Sequence, residues 1–364
     1  MKVDQFVGLL KKYNFGPVTG VPCSIFKDLI NYLQTESPLK HYICSSEGEA
    51  MGLAGGFALS RQFPVVYMQS DGLGNAINPI SSLQLLYKLP ALLLISWRAE
   101  PGTKDAPQHK VMGETLQDLL KIFKIPVYIL EDGDRYLDES LLQAKQHLGE
   151  SSTPVAFIVK KGYFEKYDGT TKTDEKAGYI RLDYLKVLEA FLHSDDIVLG
   201  ATGFSGRELY EKTDIKGKFY MMGSMGCLAA IGLGLAESAP ERNIFVIDGD
   251  GALLMKMGTL STIGYYQPKN FIHLLFNNNQ YESTGGQRTT ASAINFSRVA
   301  KNCGYPSVFD IKDPEDFKAK LESISSAAKP VFINIPVKSG TSTELGRPAD
   351  SPEMMRNTIM DLFK

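Results

Sequence analysis

The stretch Ile244-Phe245-Val246-Ile247-Asp248-Gly249-Asp250-Gly251 decides the architecture of this chain. Its opening residues are apolar, without the alternation of a half-exposed strand, which marks a strand buried on both faces of a parallel sheet. The strand runs directly into glycine, aspartate, glycine. Glycine lets backbone approach a ligand closely and reach φ > 0, and the aspartate offers a hard oxygen to Mg²⁺ or Ca²⁺. A second apolar run, Phe271 to Phe276, ends in Asn277-Asn278-Asn279-Gln280, with 25 residues between Gly251 and Asn277. That length holds one helix and one strand, so both motifs return to the same carboxyl edge, where doubly wound sheets bind ligands. Each motif alone is an ordinary turn or cap. Together they set a carboxylate and an amide at neighbouring strand ends, where a backbone carbonyl, phosphate oxygens and water would complete an octahedral site.

The same grammar extends in both directions. Strands are expected at Pro17–Thr19, His41–Cys44, Pro64–Met68, Ala91–Ser96, Val127–Leu130 and Val155–Lys160. Helices are expected between them, at Ile25–Gln34, Glu47–Ser60, Ile77–Lys88, Thr115–Phe123 and Asp138–His147. The polar run from Lys161 to Gly178 interrupts the alternation, which then resumes. The fold class is therefore α/β, with two doubly wound parallel-sheet domains at 1–165 and 181–364, a linker at 166–180 and no middle domain. The halves match in architecture without a residue-level repeat.

Composition narrows the functions. With 364 residues, 43% of them hydrophobic, and a formal net charge of −2, the chain has no basic footprint for nucleic acid or anionic lipid. The first residues lack a signal peptide's apolar core, and the longest apolar runs fall well short of the ~20 residues of a membrane span. Four scattered cysteines without a CxxC pair indicate neither a zinc site nor a disulfide framework. A cytoplasmic protein, with no nucleic-acid or membrane partner, is expected.

Gly249-Asp250-Gly251 followed after 25 residues by Asn277-Asn278 resembles the GDG-x-NN signature of thiamine diphosphate enzymes. The resemblance implies that Asp250 and the Asn278 side chain bind Mg²⁺, with the Gln280 carbonyl as third protein ligand and Gly249 and Gly251 against the cofactor. Ser45-Ser46-Glu47-Gly48-Glu49-Ala50 through Gly55-Gly56-Phe57-Ala58 resembles the family segment in which a Glu opens a small-residue helix. By that match Glu47 is the acid that faces the cofactor's pyrimidine nitrogen. Read from the residues alone, both acids favour a helix N-terminus, and Ser46 with Glu49 makes a capping box, which leaves Glu47 unexplained. Gly52, Gly55 and Gly56 each cost roughly 1 kcal/mol against Ala in a helix interior, which close packing would offset. Met222-Gly223-Ser224-Met225-Gly226 resembles the segment whose carbonyl (Gly223) accepts from the 4′-amino group and whose Met225 supports the bent cofactor; a lone Met is otherwise core filler. Gly200-Ala201-Thr202-Gly203, after a strand, would cradle diphosphate oxygens through N–H groups at a helix start, with Gly200 and Thr202 in contact.

The absence of a middle domain is similar to the phosphonopyruvate and sulfopyruvate decarboxylases, as are Gly20-Val21-Pro22-Cys23-Ser24, Pro107-Gln108-His109-Lys110-Val111-Met112-Gly113 and Ser283-Thr284-Gly285-Gly286-Gln287-Arg288-Thr289. The paired histidines and second active-site Glu of pyruvate decarboxylases are not recognisable. The resemblance implies decarboxylation of 3-phosphonopyruvate to phosphonoacetaldehyde, or of sulfopyruvate to sulfoacetaldehyde. A phosphonate calls for cationic and hydroxyl donors: Ser24, Lys104, His109, Ser283, Thr284 and Arg288 are candidates, all in expected loops. His109 is also a candidate proton donor. The family further implies a homodimer or higher homo-oligomer with its active site between subunits. A nicotinamide dehydrogenase would need G-x-G-x-x-G after a strand with an acid about 20 residues on, which Gly200–Gly203 does not supply. Glu47 together with Asp250 argues against a non-catalytic relic.

Overall fold

In the computed structural model the buried runs of the sequence become two separate parallel sheets, each covered by helices. The structure describes residues 1–131, 136–169, 178–341, 345–346 and 348–363. The chain divides into two units, one of Met1–Lys172 with Thr284–Gln287, the other of Thr173–Ser283 and Arg288–Lys364. Part of the expected linker at 166–180, namely 170–177, lies outside the described residues.

The first unit holds strands β1 (Phe15–Gly20), β2 (His41–Ile43), β3 (Phe63–Gln69), β4 (Leu92–Ser96), β5 (Val127–Leu130) and β6 (Val155–Val159). Its helices are α1 (Val3–Lys12), α2 (Lys27–Thr35), α3 (Glu47–Leu59), α4 (Leu73–Pro79), α5 (Lys110–Ile122) and α6 (Leu137–Ser151). The sheet order is β2-β1-β3-β4-β6-β5, all parallel. Every residue of β4 and β6 is buried, which is why those strands carry no alternation. The periodicity above leaves α1 unassigned. It forms because Val3, Phe6, Val7 and Leu10 share one buried stripe, each worth roughly 1.5–3 kcal/mol. Asp4 and Lys11-Lys12, which interrupt the apolar pattern, complement the helix dipole on the exposed face. The single helix expected over Ile77–Lys88 is instead α4 running to Pro79 and then a π turn at Ile80–Leu85, because proline removes an intrahelical donor.

The second unit holds β7 (Ile197–Gly200), β8 (Lys218–Tyr220), β9 (Ile244–Gly249), β10 (Phe271–Asn277), β11 (Gln280–Tyr281), β13 (Ser307–Asp310) and β14 (Val331–Pro336), and the division between units falls within β12 (Gln287–Arg288). Its helices are α7 (Arg181–Phe191), α8 (Phe204–Lys212), α9 (Leu228–Ser238), α10 (Asp250–Met255), α11 (Thr259–Tyr266), α12 (Phe296–Asn302), α13 (Pro314–Ser323) and α14 (Pro352–Met360). The large sheet is parallel, ordered β13-β14-β10-β9-β7-β8, while β11 and β12 form a short ribbon of their own. Counted along each unit, both six-stranded sheets have the order 2-1-3-4-6-5. In the second, chain order reverses between β7 and β9, the switch point at which such sheets bind ligands. Among the described residues no helix is long and apolar enough to cross a membrane.

Candidate active site

In the second unit β9 delivers the decisive motif to that switch point. Gly249 is the N-cap of α10 and Asp250 its first residue. Gly249 lies in register with Phe276, so Asp250 and the asparagine run emerge side by side. Asp250 is 2% exposed, and its Oδ2 accepts the Thr289 hydroxyl at 2.5 Å. Burial pushes the Asp250 carboxyl up to about 6, against the lowering effect of Thr289 and the N–H groups of Asp250, Asn278 and Gly251. A divalent cation would offset that desolvation. Asn278 Oδ1 accepts from the Gln280 N–H at 3.0 Å, while Nδ2 donates to Glu282 Oε2 at 2.9 Å. The amide oxygen keeps a second lone pair. Carboxylate, amide and carbonyl oxygens form the donor set expected for Mg²⁺, so Asp250, Asn278 and Gln280, which the structure brings together, fit the ion.

The glycines of the motif act differently from expectation. Gly249 has φ −105° and Gly251 lies in α10, so neither uses a positive φ. Space is the constraint at Gly251, where a Cβ would come within 2.5 Å of the Tyr281 ring. At Gly249 an added Cβ would meet no described atom within 4 Å, leaving backbone open to a ligand. Gly200 ends β7, and a Cβ there would lie 2.8 Å from Leu209, so its first role is close packing of α8. The Thr202 hydroxyl donates to the Met222 carbonyl at 2.9 Å, tying the turn after β7 to the segment before α9. In that segment Gly223 is half-buried and Met225 packs partly against the unit's core.

The first unit gathers a second cluster. Glu47 opens α3 and is 3% exposed. Its Oε2 accepts from Asn75 Nδ2 at 2.9 Å, and a Cβ on Gly72 would fall 2.4 Å from its Oε1. Gly72 is thus the floor against which the Glu47 carboxylate lies. The capping box is only half formed: Ser46 accepts from the Glu49 N–H, but the Glu49 carboxylate turns to Ser45. One residue before Gly72, Asp71 Oδ2 lies 2.6 Å from His109 Nδ1. His109 is 7% exposed and closes a 3₁₀ turn at Pro107–His109, so it is no loop residue. A carboxylate on Nδ1 fixes the tautomer and leaves Nε2 for chemistry; Nε2 lies 3.4 Å from Gln108.

Among the substrate candidates, Ser24 is exposed and its hydroxyl accepts from Arg98 Nη1 at 3.5 Å. Arg98 is held by Asp105 through bonds of 2.7 and 2.6 Å. Burial alone would raise the Asp105 carboxyl, but Arg98 and the Ala106 and Ala99 N–H groups outweigh it and hold it well below the usual range. Lys104 is exposed on the adjoining loop. In the second unit Ser283 approaches Gly203, and Arg288 is exposed on β12. The Thr284 hydroxyl donates to Gln287 within the first unit. The six candidates are thus shared between units; in the first, Ser24 meets Arg98 and His109 meets Asp71. Asp71, Asn75, Arg98, Asp105, Glu282 and Thr289 are additions to the residues read from sequence. The signal for Asp71 and Arg98 is position, since each follows a strand of the sheet whose carboxyl edge also carries Ser24.

Residues 2–122 match the thiamine pyrophosphate enzyme N-terminal TPP binding domain, and residues 207–335 the C-terminal TPP binding domain. The chain is 34% identical over 350 residues to a phosphonopyruvate decarboxylase of Streptomyces viridochromogenes, covering 92% of this chain and 88% of that one. The chain belongs to the thiamine pyrophosphate enzyme family. This thiamine pyrophosphate enzyme is also 27% identical to a sulfopyruvate decarboxylase of Methanosarcina acetivorans, over 96% of this chain and 94% of that one. A sulfopyruvate decarboxylase subunit beta of Methanocaldococcus jannaschii is 38% identical over 41% of this chain and 79% of its own. The cofactor of a thiamine pyrophosphate enzyme carries a diphosphate, and the oxygen set around Asp250 is suited to the Mg²⁺ that anchors it.

Proposed function

We propose that the protein decarboxylates 3-phosphonopyruvate to phosphonoacetaldehyde and CO₂, using thiamine diphosphate and Mg²⁺. The observation that carries this reading is the 34% identity to a phosphonopyruvate decarboxylase across 92% of the chain. When bound, the cofactor supplies a nucleophilic thiazolium carbon and a sink for the electrons left as CO₂ departs. Residues 1–165 serve as the pyrimidine-binding domain and 181–364 as the diphosphate domain, joined by the linker 166–180. Asp250, Asn278 and the Gln280 carbonyl hold the ion. Gly249, Gly251, Gly200 and Thr202 bring backbone to the diphosphate, and Gly223 and Met225 support the rings. Glu47, set by Asn75 and Gly72, holds the proton at the pyrimidine nitrogen.

His109, oriented by Asp71, delivers from Nε2 the proton that replaces CO₂ on the former keto carbon. Ser24, Lys104, Ser283, Thr284 and Arg288 remain the donors offered to the phosphonate, and Arg98 joins them through Ser24. The functional unit is at least a homodimer, and four free thiols suit a cytoplasmic location.

The second reading, sulfopyruvate decarboxylation, is favoured by the 27% identity over 96% of the chain. Sulfonate and phosphonate are both tetrahedral and differ mainly in charge. Steady-state CO₂ release on the two acids separates the readings: a kcat/KM at least about tenfold higher for phosphonopyruvate is expected, a difference of about 1.4 kcal/mol. The opposite ratio would transfer the assignment to sulfopyruvate.

A further inference from the structure

The second unit buries an arginine between two carboxylates with no role in the scheme above. Arg181, the first residue of α7, is 2% exposed, and Glu208 on α8 is fully buried. Arg181 Nε donates to Glu208 Oε2 at 2.9 Å, Nη1 to Glu282 Oε2 at 2.6 Å, and Nη2 to the Gly340 carbonyl at 3.1 Å. Glu282 Oε1 also accepts the Gly340 N–H. One guanidinium thereby joins the start of α7, helix α8, the loop after β11 and the segment after β14. As stabilisation this is costly, because taking ions out of water consumes most of their attraction.

Glu282 reaches further. Its Oε2 also accepts from Asn278 Nδ2 at 2.9 Å, while Asn278 Oδ1 accepts the Gln280 N–H at 3.0 Å. A side-chain amide is nearly symmetric in shape, so only its neighbours decide which end is oxygen. Here the neighbours differ absolutely: an ionised carboxylate only accepts, and a backbone N–H only donates. Turning the amide over would set oxygen against carboxylate and NH₂ against N–H. A hard cation binds the oxygen and is repelled by the NH₂ end.

We propose that Glu282, clamped by Arg181, is the positioning residue that locks the Asn278 amide with its oxygen toward the cation. This rests on the metal role of Asn278 argued above. Residues that orient metal ligands typically contribute 10–100-fold in metal affinity, and Glu282 belongs in that range.

The test counts free Mn²⁺ by its paramagnetic resonance signal as the ion is titrated into protein saturated with thiamine diphosphate, with melting temperature recorded beside it. Glu282→Gln replaces the acceptor by a side chain that also donates and should weaken Mn²⁺ by about 10-fold or more. Glu208→Gln disturbs the same buried arginine without touching Asn278. It should lower the melting temperature at least as much while leaving Mn²⁺ affinity within about threefold of the parent. Asn278→Asp alone sets two carboxylates together and weakens Mn²⁺, whereas Asn278→Asp with Glu282→Gln restores a donor–acceptor match and recovers affinity. If Glu282→Gln weakens Mn²⁺ no more than Glu208→Gln, or the double variant recovers nothing, Glu282 is structural only and the proposal fails. If the parent protein itself binds no Mn²⁺, the metal site has failed instead, a result distinguishable from both.

Discussion

At the residue scale, the Glu47 carboxylate is positioned by what is missing from Gly72. Gly72 sits at φ −65°, a backbone any residue adopts, so space alone demands glycine. Gly72→Ala drives a Cβ into Glu47 and should cost roughly 1–3 kcal/mol of stability by overpacking. It should also slow turnover about 100-fold, the scale for an ångström of displacement in a catalytic group. Denaturant midpoint and CO₂ release together check this, and unchanged turnover would separate Glu47 from the chemistry. The glutamate was named from its family segment, whereas Gly72 lies 25 positions along the chain from it and reaches it only through the fold. A second residue-scale prediction concerns His41, 2.9 Å from the Tyr67 hydroxyl, whose burial lowers its pKa to about 4 from 6.5. The unfolded chain takes up that proton first, so the contribution is whole above about pH 6.5 and is lost as pH falls toward 4. At about 1.36 kcal/mol per pH unit the loss is roughly 3 kcal/mol. Urea midpoints at pH 7 and pH 4.5 should fall less in His41→Gln than in the parent, and equal falls would refute this reading of His41.

At the scale of elements, β9 with α10 shows how far a pattern carries and where it stops. Apolar character, broken in Phe271 to Phe276 by His273 alone, identified β9 and β10, and 25 residues between motifs put their ends together, because those properties are one-dimensional. The expected φ > 0 at the glycines was the part that failed. Gly251 is required by the Tyr281 ring, which returns through β11, a contact no local signal announces. Gly251→Ala should push α10 and Tyr281 apart and weaken Mg²⁺-dependent cofactor binding about tenfold by calorimetry. Affinity equal to the parent's would show that the tip tolerates the methyl group. Helix α1 escaped recognition for a related reason. Its charges read as interruptions along the line and as a solvated face only once the helix is wound.

At the scale of the whole chain, two sheets share one strand order without a visible sequence repeat. Topology is set by which runs are buried on both faces, and many sequences satisfy that demand. Within the proposed site Arg98 and Asp71 were the least legible, since they are reached through their tertiary neighbours Ser24 and His109 rather than through motifs. The proposed homodimer should sediment at no less than twice the 40.2 kDa chain mass at micromolar concentration, and a purely monomeric, active protein would contradict it. The central claim is that Asp250 and Asn278 hold the cation that carries thiamine diphosphate, while Glu47 serves the chemistry. Calorimetric titration of thiamine diphosphate into the parent, Asp250→Ala and Glu47→Gln proteins, each with Mg²⁺ and with chelator, tests it most directly. The account predicts saturable binding near one per chain that needs Mg²⁺, disappears in Asp250→Ala and survives in an inactive Glu47→Gln. Binding that ignores chelator or persists in Asp250→Ala would contradict it.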